Sequence, residues 1–417
     1  MFFIKRGFMT HPMISIAMAL SMGALVATPA RAADVPKSAT AAAAVSHAAV
    51  AQQYATLVHA NYEDVLSTAK ALQSAVDAFL AAPSAATQDA AKNAWLAARE
   101  AYGQTEAFRF YGGPIDSDKG PEGRMNAWPM DESFVDSVKG KPNAGLVNNL
   151  KFKITAKNLM AQNERGGEEN IATGWHAIEF FLWGQDLSET GPGERSFEDF
   201  VDGKAPNADR RRLYLKTVTD LLVSDVDSLV KAWAPGVKTN YRAKFEKGGK
   251  ESVRKMLVGL GSLSRGELAG ERLEVALNSQ DQEDEHSCFS DNTHRDAVTN
   301  AKGIQNVWLG TYKRVDGSVV SGPSLKDLVA VTDAALADKT TQQIAESVAA
   351  AEGIQAPFDR EIMGDKAAPG RQRIQKTIAS LTQQSKDIVA SASAVGIKKL
   401  TLVEPSCFFN AFCASAV

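Results

Sequence analysis

The sequence predicts an all-α protein, and three observations lead there. Alanine recurs in long runs while aromatic residues make up only 7% of the chain. That balance favours helices packed through small side chains over a sheet built from Val, Ile and Tyr. Apolar residues also return at helical intervals in one long segment after another. No strand-like alternation extends beyond a few residues. With 417 residues, 44% hydrophobic and 23% charged, the chain has material for one to three folded units and lacks the signature of disorder. A pI near 6.1 and a formal charge of −3 are without the basic footprint of a nucleic-acid binder, so no nucleic-acid partner is expected.

The first element is not part of the fold. Lys5 and Arg6 form a basic start, residues 13–27 form an apolar stretch, and Ala30-Arg31-Ala32 offers a small-residue cleavage site. Residues 1–32 therefore read as a secretory signal peptide, too short in its apolar run to span a bilayer comfortably. Its removal takes away Lys5, Arg6 and Arg31 and no acid, which moves the charge from −3 to −6. No later segment approaches about 18 uncharged apolar residues, so no transmembrane span is expected in the mature chain. An acidic exported chain of this kind belongs in the periplasm or cell envelope of a bacterium.

The helices follow in order. Residues 38–80 carry Leu57, Val65, Leu72, Val76 and Phe79 at helical spacing and predict one long helix or two. Pro83 and Ser84 mark a turn, and 87–110 predict the next helix, stopped by Gly112-Gly113-Pro114. Residues 111–145 are Gly- and Pro-rich and read as irregular, a length that is usually functional or very well packed. Residues 166–185 predict a helix. So do 209–233, with Leu213, Val218, Leu222 and Leu229 inward. Pro235-Gly236 is the best boundary in the chain. The Gly-rich run 257–277 has small residues where helices can approach closely. Residues 293–313, 324–351 and 370–395 predict the remaining helices.

A faint echo links the halves. Asn93-Ala94-Trp95-Leu96 and Asn306-Val307-Trp308-Leu309 each precede a tyrosine, Tyr102 or Tyr312, and then a Gly-containing loop. The organisation expected is residues 33–235 as a first half, 236–400 as a second, and 401–417 as a tail. Cys407 and Cys413 lie in that tail, where they could close a small loop in an oxidising compartment. Cys288 is left over, as a buried free thiol, a metal ligand or an intermolecular partner.

Three clusters carry chemistry. In Gly174-Trp175-His176-Ala177-Ile178-Glu179, His176 and Glu179 stand three apart and share a helix face. An imidazole and a carboxylate so placed can share a metal ion. The neighbours Trp175, Ile178, Phe180, Phe181, Leu182 and Trp183 make the helix apolar nearly all round, so it must be buried. A His–Glu hydrogen bond stitching the core is the plainer alternative. The second cluster is Arg99, Tyr102, Glu106 and Arg109, spaced 3, 4 and 3 along one helix face. It reads as a solvated ion-paired face or, with two arginines, as a seat for an anionic ligand. The third is residues 283–292, four acids with His286 and Cys288. Asp291 or Thr293 there would cap the following helix. No H-E-x-x-H, G-x-S-x-G, Walker A or C-x-x-C motif occurs.

GWHAIEFFLWGQD resembles the G-x-H-x-x-E signature of imelysin-like proteins, the peptidase M75 family. The resemblance extends to WLAAREAYGQTEAFRFYGGPID (95–116), NAWPMDE (126–132) and GELAGERLEVALNSQDQEDEHSCFSDNT (266–293), covering roughly residues 50–395. It is greatest with the iron-regulated, envelope-located branch. The resemblance implies an all-helical fold of two pseudo-symmetric bundles with a site at their interface. The signature residues map onto His176 and Glu179. Glu106 and Arg109 match the T-E-x-F-R block, Asp116 the P-I-D, and His286 with Asp291 the E-H-S-C-F-S-D block. The expectation is a metal-binding envelope protein linked to iron acquisition. Its ion, iron, zinc or copper, would sit on His176 and Glu179 with help from Glu106 and His286. The family name implies a metallopeptidase using the same residues as the alternative. A third reading is a metal-free module in which Arg99 and Arg109 hold an anionic ligand or serve an envelope or outer-membrane partner.

Overall fold

His47–Ala81 is a single unbroken helix, begun by the Ser46 hydroxyl accepting the Ala49 N–H. Its inward stripe is Val50, Tyr54, Leu57, Val58, Val65, Leu72, Val76 and Phe79. The structure, a computed structural model, describes residues 45–188 and 190–404. The expected signal peptide and Cys407 and Cys413 lie outside the described residues.

The second helix, Ala85–Tyr102, opens with a reciprocal capping box between Ser84 and Thr87, which satisfies two otherwise orphaned N–H groups. It then tightens into a 3-10 segment, Gly103–Phe108. Gly103 is needed at that joint: a Cβ there would lie 2.0 Å from the Thr299 hydroxyl. The bare backbone lets this segment lie directly on the Thr293–Leu309 helix.

The helix expected over 166–185 is shorter, Gly174–Trp183. The Asn163 side chain captures the N–H groups of Ala172 and Thr173, which holds the preceding chain in a loop. Gly174 has φ +88°, and a Cβ on it would meet the Met125 carbonyl at 2.4 Å. The Ala208–Trp233 helix turns Leu215, Val218, Leu222, Val226 and Leu229 inward. Leu213, expected inside, is 50% exposed; it falls on the opposite side of the 3.6-residue period.

Pro235 and Gly236 occupy a turn, and the core continues across it. Trp233, Tyr241 and Phe245 pack their rings on one another, and Tyr54 of the first helix stacks on Phe245. Lys250–Ser262 is α-helical and widens into a π-helix over Leu263–Glu274, a geometry that is rare and often marks a functional site. Gly261 and Gly266 let the 402–403 backbone and side chains close onto this helix.

Thr293–Leu309 stops earlier than expected because Gly310 takes a left-handed φ of +62°, the usual helix stop. An antiparallel hairpin follows, Thr311–Lys313 with Val319–Ser321, in register Tyr312 to Val320. The segment expected as one helix over 324–351 is two, Leu325–Ala330 and Ala334–Glu352. Asp333 caps the second through the Leu336 N–H. Pro369–Ala394 packs along it and along the π-helix. Trp95 and Trp308 are both fully buried; they donate to the Trp175 carbonyl and the Thr341 hydroxyl. No helix among the described residues is long and apolar enough to cross a membrane.

Candidate functional site

All ten residues of the Gly174–Trp183 helix are buried. His176 is 2% exposed and Glu179 is 0%. One turn apart, they meet: His176 Nδ1 lies 2.8 Å from Glu179 Oε2. The other carboxylate oxygen accepts both the N–H and the hydroxyl of Ser290, at 3.0 and 2.6 Å. Burial pushes the Glu179 carboxyl up to about 8 and, with Arg99 nearby, the His176 imidazole down to about 3. The ring is neutral at physiological pH. Its second nitrogen, Nε2, is buried and has no hydrogen-bond partner.

The loop before the Thr293–Leu309 helix carries His286 against this ring, with centroids 4.8 Å apart and planes at 74°. His286 is anchored as His176 is, Nδ1 lying 2.7 Å from Asp296 Oδ2. Burial raises the Asp296 carboxyl, but Arg99, His286 and Ser287 outweigh it and hold the group well below the carboxylate range. An ionised Asp296 makes Nδ1 the protonated nitrogen of His286 and leaves Nε2 a lone pair. The Asn126 amide approaches that lone pair at 3.5 Å. Burial and Arg272 keep the His286 ring neutral as well. Both rings are neutral with Nδ1 against a carboxyl group; ionised Asp296 leaves His286 Nε2 a lone pair, and ionisation of Glu179 would leave one on His176 Nε2, the arrangement in which acids orient metal ligands.

The remaining expected residues divide. Arg99 and Glu106 belong to a buried interior, not to a solvated face: they are 2% and 1% exposed. Arg99 donates to Asn126 and Asp296, at 2.7 and 2.9 Å, and lies over the rings of Trp95, Tyr102 and Trp175. Glu106 Oε2 is held between Arg109 at 2.5 Å and Arg272 at 2.7 Å. Burial opposes its ionisation, but the two guanidiniums win and lower it to about 2. Arg109 also pairs with Glu122 at 2.9 Å, and Arg272 with Glu267 at 2.9 Å and Asn300 at 2.6 Å. The other Glu106 oxygen, Oε1, is buried and has no hydrogen-bond partner among the described residues.

Asp116 lies elsewhere. It accepts the N–H groups of Tyr111 and Gly113 and holds their turn. Asp291 does not cap the next helix; Asn292 occupies the cap position and makes no side-chain cap bond. Cys288 is a free, partly buried thiol, its acidity weakened by burial and by Glu179. Sequence reasoning missed Asp296, Asn126, Ser290 and Arg272. Asp296 had one signal, an acid in the first turn of a helix whose adjoining loop supplies His286.

A family model for the imelysins, Peptidase_M75, matches residues 58–388. Among curated proteins, the chain is 26% identical over 331 residues to "Iron-regulated protein A" of Synechococcus elongatus, covering 77% of this chain and 80% of that one. Two solved structures share the fold. An iron-regulated protein A precursor from Parabacteroides distasonis aligns with a TM-score of 0.64 at 21% identity, over 84% of this chain and 95% of that one. An imelysin-like protein from Psychrobacter arcticum aligns at 0.58 and 14%, over 84% and 96%. With the match spanning most of its length and an all-helical fold shared with both structures, this chain belongs to the imelysin family.

Proposed function

We propose that this protein is exported to the bacterial envelope, binds a transition-metal ion between its two halves and serves iron acquisition. His176 comes from the 33–235 half and His286 from the 236–400 half. The observation that carries the reading is the buried, unpartnered Nε2 of His176, packed against a second neutral imidazole. An orphaned polar atom in so dry a place is costly unless something binds it. Imidazole suits iron, zinc and copper alike. His176 and His286 would be the protein ligands, Glu179 and Asp296 the groups that aim them. The bound ion would supply a Lewis-acid or redox centre. The name of the Synechococcus relative and the basic, apolar leader support the iron and envelope parts.

The peptidase alternative needs substrate to reach the ion. Burial of both His176 and Glu179 favours storage or transfer of an ion over cleavage of a polypeptide. The anion-binding alternative is disfavoured because Arg99 and Arg109 already donate to Asp296, Glu106 and Glu122. Metal content tests the proposal. Protein purified without chelator is assayed by elemental mass spectrometry beside His176→Ala and His286→Ala. A metal present in the wild type and lost from both variants supports it. Equal metal in all three overturns it.

A further inference from the structure

A second group of acids lies outside the histidine site. Asp186 follows the Gly174–Trp183 helix, Asp291 precedes Thr293–Leu309, and Asp359 sits on the short Phe358–Ile362 helix. One carboxylate oxygen from each lies within 4.8 Å of the others. The three are 3%, 6% and 5% exposed. Among the described residues, no N–H or hydroxyl donor reaches either oxygen of Asp291 or Asp359, nor Asp186 Oδ2; the acids face one another. Asp186 Oδ1 accepts the Ser188 N–H at 2.9 Å.

A fourth carboxylate points to what belongs there. Glu285 is 1% exposed, no basic side chain pairs with it among the described residues, and its oxygens fall outside good hydrogen-bond geometry, with Thr293 the nearby hydroxyl. It adjoins Asp359 and Asp291. Buried acids are ordinarily paired with a base or with donors. The groove beside the cluster holds His294, whose Nδ1 lies 3.0 Å from the Asp291 carbonyl, and Arg295, which is already bidentate to Glu100, at 2.7 and 2.8 Å. Burial, with mutual repulsion added, pushes Asp291 up to about 8 and Asp186 up to about 6. The groove, about 630 Å³ and lined in part by Ser290, Asp291, Asn292 and Pro357, borders the cluster at Asp291.

We propose that Asp186, Asp291 and Asp359, with Glu285 beside them, form a site for a hard divalent cation of the calcium class. The donors are all oxygen and acidic, the set that calcium prefers and that leaves zinc and copper without their nitrogen or sulfur ligands. Oxygens on opposite sides of an ion at about 2.4 Å stand about 4.8 Å apart, so the present spacing needs little adjustment. The cation would clip three separated segments together. One is the loop that carries His286, so this site would fix the floor of the histidine pair without taking part in it.

Calcium chloride is titrated by calorimetry into chelator-treated protein that retains the full mature chain, and melting is followed with and without calcium. The wild type should take up one calcium per chain and melt higher with it. Asp359→Asn should bind at least tenfold more weakly. Without metal it should melt at or above the wild type, because repulsion is relieved. His176→Ala should keep calcium binding, which separates this site from the histidine site. Asp291→Asn repeats the test should Asp359→Asn fail to fold. No calcium uptake by the wild type, or wild-type affinity in the asparagine variants, overturns the proposal.

Discussion

Glu179→Gln separates the cost of the buried acid from its use. In the wild type, Glu179 accepts two hydrogen bonds from Ser290 at Oε1 and faces His176 Nδ1 through Oε2. Folding raises its carboxyl from an ordinary 4.5 to about 8. The folded chain therefore keeps a proton that the unfolded chain loses above pH 4.5. The sign follows: between about pH 4.5 and 8 this group makes the metal-free protein less stable as pH rises. At pH 7 the gap of 2.5 units would correspond to about 3 kcal/mol at 1.36 kcal/mol per unit, and relaxation of so buried a pair reduces it to about 1–3 kcal/mol. Glutamine mimics the protonated acid. Its oxygen still accepts from Ser290 and its amide still donates to Nδ1. Metal-free Glu179→Gln should therefore be more stable than the wild type by about 1–3 kcal/mol at pH 7, with the difference gone near pH 4.5. Metal affinity should move the other way. A metal on Nε2 needs Nδ1–H to face an acceptor, and the amide cannot serve both Ser290 and His176 with its one oxygen. A loss of about 10–100-fold is expected for removing such an orienting group. Urea unfolding in chelator at pH 4.5 and 7, with metal titration in parallel, measures both. Equal stability at both pH values and unchanged metal affinity would refute the reasoning.

His176→Ala should abolish transition-metal binding while the fold survives, with a stability loss of about 1–3 kcal/mol from the buried Glu179 oxygen left behind, read by elemental analysis and chemical unfolding. Arg272→Met should lower stability by about 3–5 kcal/mol, because it leaves Glu106 and Glu267 short of a buried cation; Glu106→Gln added to it should recover part of that, and independent, additive effects would contradict the pairing. Gly174→Ala should unseat the motif helix, since φ is +88° and the new Cβ would meet the Met125 carbonyl at 2.4 Å; a destabilised protein with weakened metal binding is expected, and full metal binding would show that the helix start is not needed. The wild type should cleave unfolded protein substrates weakly or not at all; robust cleavage that chelator stops and Glu179→Gln removes would put the peptidase reading first.

The fold class and most helices were legible because helical periodicity is a local signal. The long first helix, the Ala208–Trp233 helix and the last helix follow from it directly. Boundaries were less legible where side chains or glycines far from the pattern decided them. Asn163 shortened the motif helix from outside it, and the π-helix over Leu263–Glu274 has no separate composition. His176, Glu179 and His286 could be named because a histidine beside acids and aromatics stands out in one dimension. The fate of Glu106 could not, since it depends on Arg272, which is 166 residues away. Asp359 gave no signal at all. Its meeting with Asp186 and Asp291 exists only in the folded chain.

His176 and His286 are proposed to hold a metal ion through Nε2. Crystals grown from metal-loaded protein, measured on both sides of the absorption edge of the bound element, test it directly. An anomalous peak is expected at bonding distance, about 2.0–2.2 Å, from both Nε2 atoms. A fully loaded protein whose anomalous peaks all lie away from His176, with its Nε2 still unligated, would contradict it.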